Sequence, residues 1–142
     1  MTDTPKHRPA YPLAETAPEE VAGARGKTLD ALTIEAVAAG ELGVEDIRIT
    51  PQTLARQAEI ARATDRAALA ANFERAAEMT RVPQDEIMRI YELLRPGRAG
   101  STEALLREAD RLETAFDAPL LAAFVRQAAE QYERRDLHRR RY

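Results

Sequence analysis

The sequence predicts an all-α protein in which an irregular, proline-rich arm precedes a run of long helices. Three observations carry this reading. No segment alternates convincingly between apolar and polar residues with a period of two, so the signature of a half-buried strand is missing. Residues 1–27 hold prolines at 5, 9, 12 and 18 and glycines at 23 and 26, which remove backbone donors and favour turns or extended chain. From 51 to 135 the only strong breakers are Pro51, Pro83, the 96–100 stretch and Pro119, so long helices are the economical reading there. The 142-residue length suits one domain. Its expected organisation is an irregular arm with one short helix over 1–49, then a helical domain with a basic tail over 50–142.

In the arm, Tyr11-Pro12-Leu13 is an apolar hook suited to docking on a partner or on the chain's own domain. Thr33 is placed to cap a short helix, Ile34 to Ala39, ended by Gly40. Val44 to Ile49 is too short and too charged to assign. Thr50 then supplies an N-cap and Pro51 a first helical residue. Leu54, Ala58 and Ala61 form one stripe, and Leu69, Phe73, Ala76 and Ala77 another; Asp65-Arg66 between them marks a bend or the gap between two helices. Pro83 restarts the pattern. Asp85 and Glu86 favour the positive end of the new helix, and Ile87, Ile90, Tyr91 and Leu94 follow at i, i+3, i+4 and i+7. Pro96-Gly97 stops it. Ser101 or Thr102 caps a helix whose Leu105, Ala109, Leu112 and Phe116 share a face. Asp117 and Pro119 mark a new start or a bend, and the last helix carries Leu121, Phe124, Val125, Ala128 and Tyr132 on one side.

Composition narrows the function. Apolar residues make up 44 %, yet 28 of them are alanines and only 31 are Leu, Ile, Val, Met or Phe, so the core is thin. Alanine-rich helices pack closely on each other or lay a flat face on another protein, and an obligate partner fits such a chain. A net charge of −3, with acidic and basic residues mixed, gives no basic field for nucleic acid. The absence of cysteine excludes disulfides, thiolate metal sites and cysteine nucleophiles. Neither a membrane span nor a signal-type apolar run is present, and the cytoplasm is the expected compartment.

A self-sufficient active site is not legible. His7 and His138 are isolated, without a second ligand at helical spacing, and read as ordinary exposed residues. The pairs Glu19-Glu20, Glu45-Asp46 and Asp85-Glu86 read as exposed helix-end charge, and Glu74-Arg75 with Glu78 as helix-surface pairing. The six glycines form no phosphate-binding fingerprint. The tail from Arg134 to Arg141 is strongly basic and reads as cations at the negative end of a helix, continuing into a solvated tail. Phe73, Tyr91, Phe116, Phe124 and Tyr132 fall on apolar stripes and read as core or interface. Arg95 and Arg98 flank Pro96-Gly97, where a kinked loop can present guanidinium forks to carboxylates of a partner.

A set of segments, in order and spacing, carries a resemblance over about Tyr11 to Leu137. They are Tyr11-Pro12-Leu13-Ala14, Lys27-Thr28-Leu29-Asp30, Leu32-Thr33-Ile34-Glu35, the run from Arg48 to Leu54, Asn72 to Glu78, Val82-Pro83, Ile90 to Pro96, Leu105-Leu106 with Ala109-Asp110, Ala122 to Arg126, and Tyr132 to Leu137. Together they closely resemble the small subunit of the adenosylcobalamin (coenzyme B12)-dependent diol and glycerol dehydratases. The resemblance implies an open helical bundle preceded by an irregular portion, and a non-catalytic subunit of a hydro-lyase that is inactive alone. It further implies a dimer of heterotrimers in which a large (β/α)₈-barrel subunit holds substrate and a metal ion. Adenosylcobalamin then lies between the large and medium subunits, and a radical reaction turns propane-1,2-diol or glycerol into an aldehyde with loss of water. No catalytic, cofactor-binding or metal-binding residue is expected on this chain. Tyr11, Pro12, Leu13, Tyr91, Arg95 and Arg98 are the expected partner contacts. Two departures stand out: only ten residues precede Tyr11, where some relatives carry a longer extension linked to packaging in bacterial microcompartments, and Gly97 stands where the family usually has an aromatic residue. The competing reading is a stand-alone helical adaptor that binds an acidic partner, or nucleic acid, through residues 134–141.

Overall fold

A computed structural model of the chain describes residues 11–138, and those residues form an all-α fold without a β-strand. The chain divides into two compact units, Met1–Ala77 and Glu78–Tyr142.

In the first unit, short elements come first: α1 (Leu13–Thr16), 3-10 turns at Pro18–Glu20 and Leu29–Ala31, α2 (Ile34–Ala38) and α3 (Val44–Ile47). Thr33 caps α2, its hydroxyl accepting from the Ala36 N–H at 3.2 Å. Two longer helices follow, α4 (Pro51–Ala63) and α5 (Ala67–Met79), the latter running into the second unit. Thr50 accepts from the Thr53 N–H at 3.2 Å, and Pro51 occupies the first helical position, where no amide hydrogen is needed. Asp65 has φ +59°, a left-handed residue that ends α4 and settles the alternative at this point as two helices. The core of this unit is small: Leu54, Ala58 and Ala61 from α4, Ala70 from α5, and Phe73 packed alongside.

The second unit contains α6 (Gln84–Leu93), α7 (Thr102–Phe116) and α8 (Pro119–Arg134). Ser101 caps α7, accepting from the Ala104 N–H at 3.3 Å. Asp117 turns the chain with φ +49°, so that α8 can pack on α7. Leu105, Ala109 and Leu112 of α7 face Leu121, Ala122, Val125 and Ala129 of α8, joined by Val82, Ile90 and Ala118. Ala109, Ala118, Ala122 and Ala129 are fully buried, and their single methyl groups let the helix backbones approach closely.

Small residues at the helix contacts explain two differences from the sequence reading. Phe124 is 43 % exposed while Ala122 and Ala129 are buried, and Leu69 is 38 % exposed while Ala70 is buried; Tyr91, 59 % exposed, also lies off the core, with no small residue in its place. Where helices approach closely, small residues take the central line and larger ones move to the flank. The stripes Leu54, Ala58, Ala61 and Leu105, Ala109, Leu112 are buried as expected, and the departures are confined to single positions such as Phe124 and Leu69.

Two acidic groups expected at the surface are also structural. Glu78, only 6 % exposed, accepts from the Leu120 N–H at 3.0 Å and from the Leu121 N–H at 2.8 Å. A carboxylate from α5 thus caps α8, whose own N-cap Ala118 has no side-chain acceptor. Glu86 joins Arg89, Glu108 and Arg111 in a network that ties α6 to α7. Arg111 donates to both Glu86 oxygens at 2.5 and 2.6 Å, while Arg89 bonds Glu86 at 3.0 and 3.1 Å and also reaches Glu108.

Candidate subunit-docking surfaces

Between Tyr11 and Thr53, among the described residues, the single buried residue is Asp46, at 1 % exposure. Arg25 holds it: its Nε donates to Asp46 Oδ1 at 2.8 Å and its Nη2 pairs with Oδ2. The Gly43 N–H donates to Oδ2 at 2.8 Å. Gly23 completes the arrangement, because a Cβ at this position would come within 2.3 Å of the Asp46 carbonyl oxygen. The expectation that Glu45-Asp46 is merely exposed helix-end charge is corrected at Asp46. The missed signal was Arg25, whose distance in sequence hides the pairing.

The Arg25 hydrogen bond, followed by the Gly43 N–H, lowers the Asp46 carboxyl to about 2. Hydrogen bonding from Arg111, reinforced by Arg89, lowers Glu86 to about 2 as well. Both values lie below the unfolded carboxylate range of about 4. Their stabilisation is therefore complete above about pH 4 and is lost as the pH falls toward 2. Urea midpoints followed by circular dichroism should hold steady from pH 7 to 5 and fall steeply below 4; a midpoint unchanged at pH 2.5 would show that these pairs carry no stability.

Apolar side chains in the same arm face outward. Ile34, Val37, Val44 and Ile47 are 84, 59, 60 and 68 % exposed. Tyr11, Pro12 and Leu13 form one wall of an open cleft of about 900 Å³ whose other walls include Ile60, Leu69 and Phe73. The hook thus shares a concavity with its own unit, though Tyr11 stays 72 % exposed.

The remaining expected contacts belong to the second unit. Tyr91 is exposed on α6, Arg95 bonds Glu92 at 3.2 Å, and Arg98 is exposed in the following loop. Gly97 has φ +76°, a conformation that strains any L-residue, and its N–H donates to the Leu137 carbonyl at 2.7 Å. A glycine here is a conformational requirement of this loop. Tyr132 donates to the Leu94 carbonyl, and His138 Nε2 lies 3.0 Å from Thr102 Oγ1. His138 is therefore half-buried rather than an exposed tail residue. His7 and residues 139–141 of the basic tail lie outside the described residues.

No group of three His, Cys, Asp or Glu side chains converges among the described residues. His138, the one described histidine, has its Nε2 engaged by Thr102. No described helix is long and apolar enough to cross a membrane.

The family follows from comparison of the whole chain. A family model described as "Dehydratase small subunit" matches residues 7–139, and the chain belongs to that family. Among its relatives are the propanediol dehydratase small subunits of Citrobacter freundii and Salmonella typhimurium strain LT2. Each is 51 % identical over 125 residues, covering 88 % of this chain and 72 % of the relative. A small subunit is by definition part of a larger dehydratase, so other subunits are its partners.

Proposed function

We propose that this chain is the non-catalytic small subunit of an adenosylcobalamin-dependent dehydratase that converts propane-1,2-diol or glycerol to an aldehyde with loss of water by a radical route. Substrate, metal ion and cobalamin are carried by the large and medium subunits, in a cytoplasmic dimer of heterotrimers with a barrel-type large subunit. This chain stabilises the large subunit and the assembled enzyme. The relatives' printed name supports propanediol as substrate. The observation that carries the structural role is the arm: from Tyr11 to Thr53 its one buried side chain is the Asp46 carboxylate, held by the exposed Arg25, while Ile34, Val37, Val44 and Ile47 face solvent. Such a segment gains further hydrophobic stabilisation by docking. The adaptor reading has less support, since the family model spans residues 7–139 and the relatives over most of the chain are dehydratase small subunits.

Reconstitution tests this. The pure chain should produce no aldehyde from either diol with adenosylcobalamin, and adding it to the large and medium subunits should raise the yield and thermal stability of active enzyme. Turnover by the pure chain, or an enzyme equally active and stable without it, would overturn the proposal.

A further inference from the structure

Within the arm, the stretch from 29 to 49 turns its apolar side chains out in an ordered way. α2 presents Ile34 and Val37, and α3 presents Val44 and Ile47; each pair is spaced i, i+3 and so lies along one side of its helix. Isolated exposed aliphatic residues need no explanation, but paired ones on consecutive helices mark an interaction surface. The polar side of α3 is what is buried. Asp46, fixed by Arg25 and Gly43, turns inward while Val44 and Ile47 face solvent, so the apolar face is set in place before any partner arrives.

Charge identifies the kind of partner. The exposed ionic groups of this stretch are Asp30, Glu35, Glu41 and Glu45 against Arg48, which is paired with Glu45 at 3.2 Å; of the cations beside α3, Arg25 is engaged by Asp46 and Lys27 is half-buried, so the balance stays acidic. We infer that the α2–α3 face is the docking surface for another, non-identical subunit of the dehydratase, one offering an apolar groove with a lysine- or arginine-bearing rim. A two-fold contact between copies of this chain would set the same carboxylates against each other, which like-charge repulsion opposes. The chain's own basic C-terminal segment is no substitute: Leu137 is its single aliphatic residue, and the Leu137 carbonyl is already held by Gly97.

This inference rests on the subunit reading above, and the test separates the two. The full-length chain is combined with the large and medium subunits, and association is followed by sedimentation at several salt concentrations for the native chain, Ile47→Glu, and the pair Glu35→Lys with Glu41→Lys. A photo-crosslinking residue in place of Ile34 identifies what lies opposite. Because these side chains are exposed, circular dichroism of the variants should match that of the native chain. Ile47→Glu should weaken association about tenfold or more, as loss of an interface anchor does. The lysine pair should weaken it most at low salt, where charge contacts are least screened. The crosslink should run to one large or medium subunit. Native-strength association of both variants, or a crosslink to a second copy of this chain, overturns the surface while leaving the subunit reading intact. Failure of the native chain to associate at all overturns the subunit reading itself.

Discussion

Replacement of Leu105 by alanine should lower the unfolding free energy by about 2–5 kcal/mol, the largest loss expected from any single truncation in this chain. Leu105 is completely buried on α7, at the contact with α8. The cost has two parts: the transfer free energy of the lost methyl and methylene groups, and the void that remains. Collapse normally softens the second part, but several neighbours here are alanines at full burial, with no side-chain rotamers that could swing into the space. The loss should therefore fall in the upper half of the range. Urea unfolding followed by circular dichroism gives the value directly. A loss below about 1 kcal/mol would mean that α7 and α8 slide together to close the void, and that the alanine seam is less rigid than its burial implies.

Glu78→Ala should cost about 1–3 kcal/mol, because it strips the cap from α8 and leaves the part-buried amide of Leu120 and the buried amide of Leu121 without their acceptors. Glu78→Gln keeps one acceptor oxygen and loses the charge that suits the positive end of a helix, so it should fall between alanine and the native residue. Hydrogen exchange distinguishes this capping role from simple packing. In the alanine variant the amides of 120 and 121 should exchange faster than those in the middle of α8, whereas uniform acceleration along the helix would point to global destabilisation alone.

Much of the fold was legible because local chemistry sets it. Thr33, Thr50 and Ser101 cap the helices that follow them, and Pro51 and Pro119 sit at helix starts. What escaped was non-local. Asp46 looks like a helix-end carboxylate until Arg25, 21 residues earlier, is seen to close on it, and Glu78 looks like a surface partner until α8 folds beneath it. Neither pairing has a sequence period. Single positions on otherwise correct contact faces were misread for a different reason: a close helix contact selects alanine, as at Ala122 and Ala129 instead of Phe124. The docking residues on α2 and α3 escaped because exposed Ile and Val in a short, charged segment leave no periodic signal, and only their exposure in the fold separates them from an ordinary core.

The outward-facing isoleucines and valines of α2 and α3 also bear on what happens to a copy made in excess. Exposed aliphatic surface is what chaperones and quality-control proteases engage, and marginal species that display it are continuously removed in cells. An orphan copy would carry its own mark for clearance, while one engaged with its partners would hide it. Subunit balance in the cell could then be held by turnover of the unassembled chain, with no need for matched rates of synthesis.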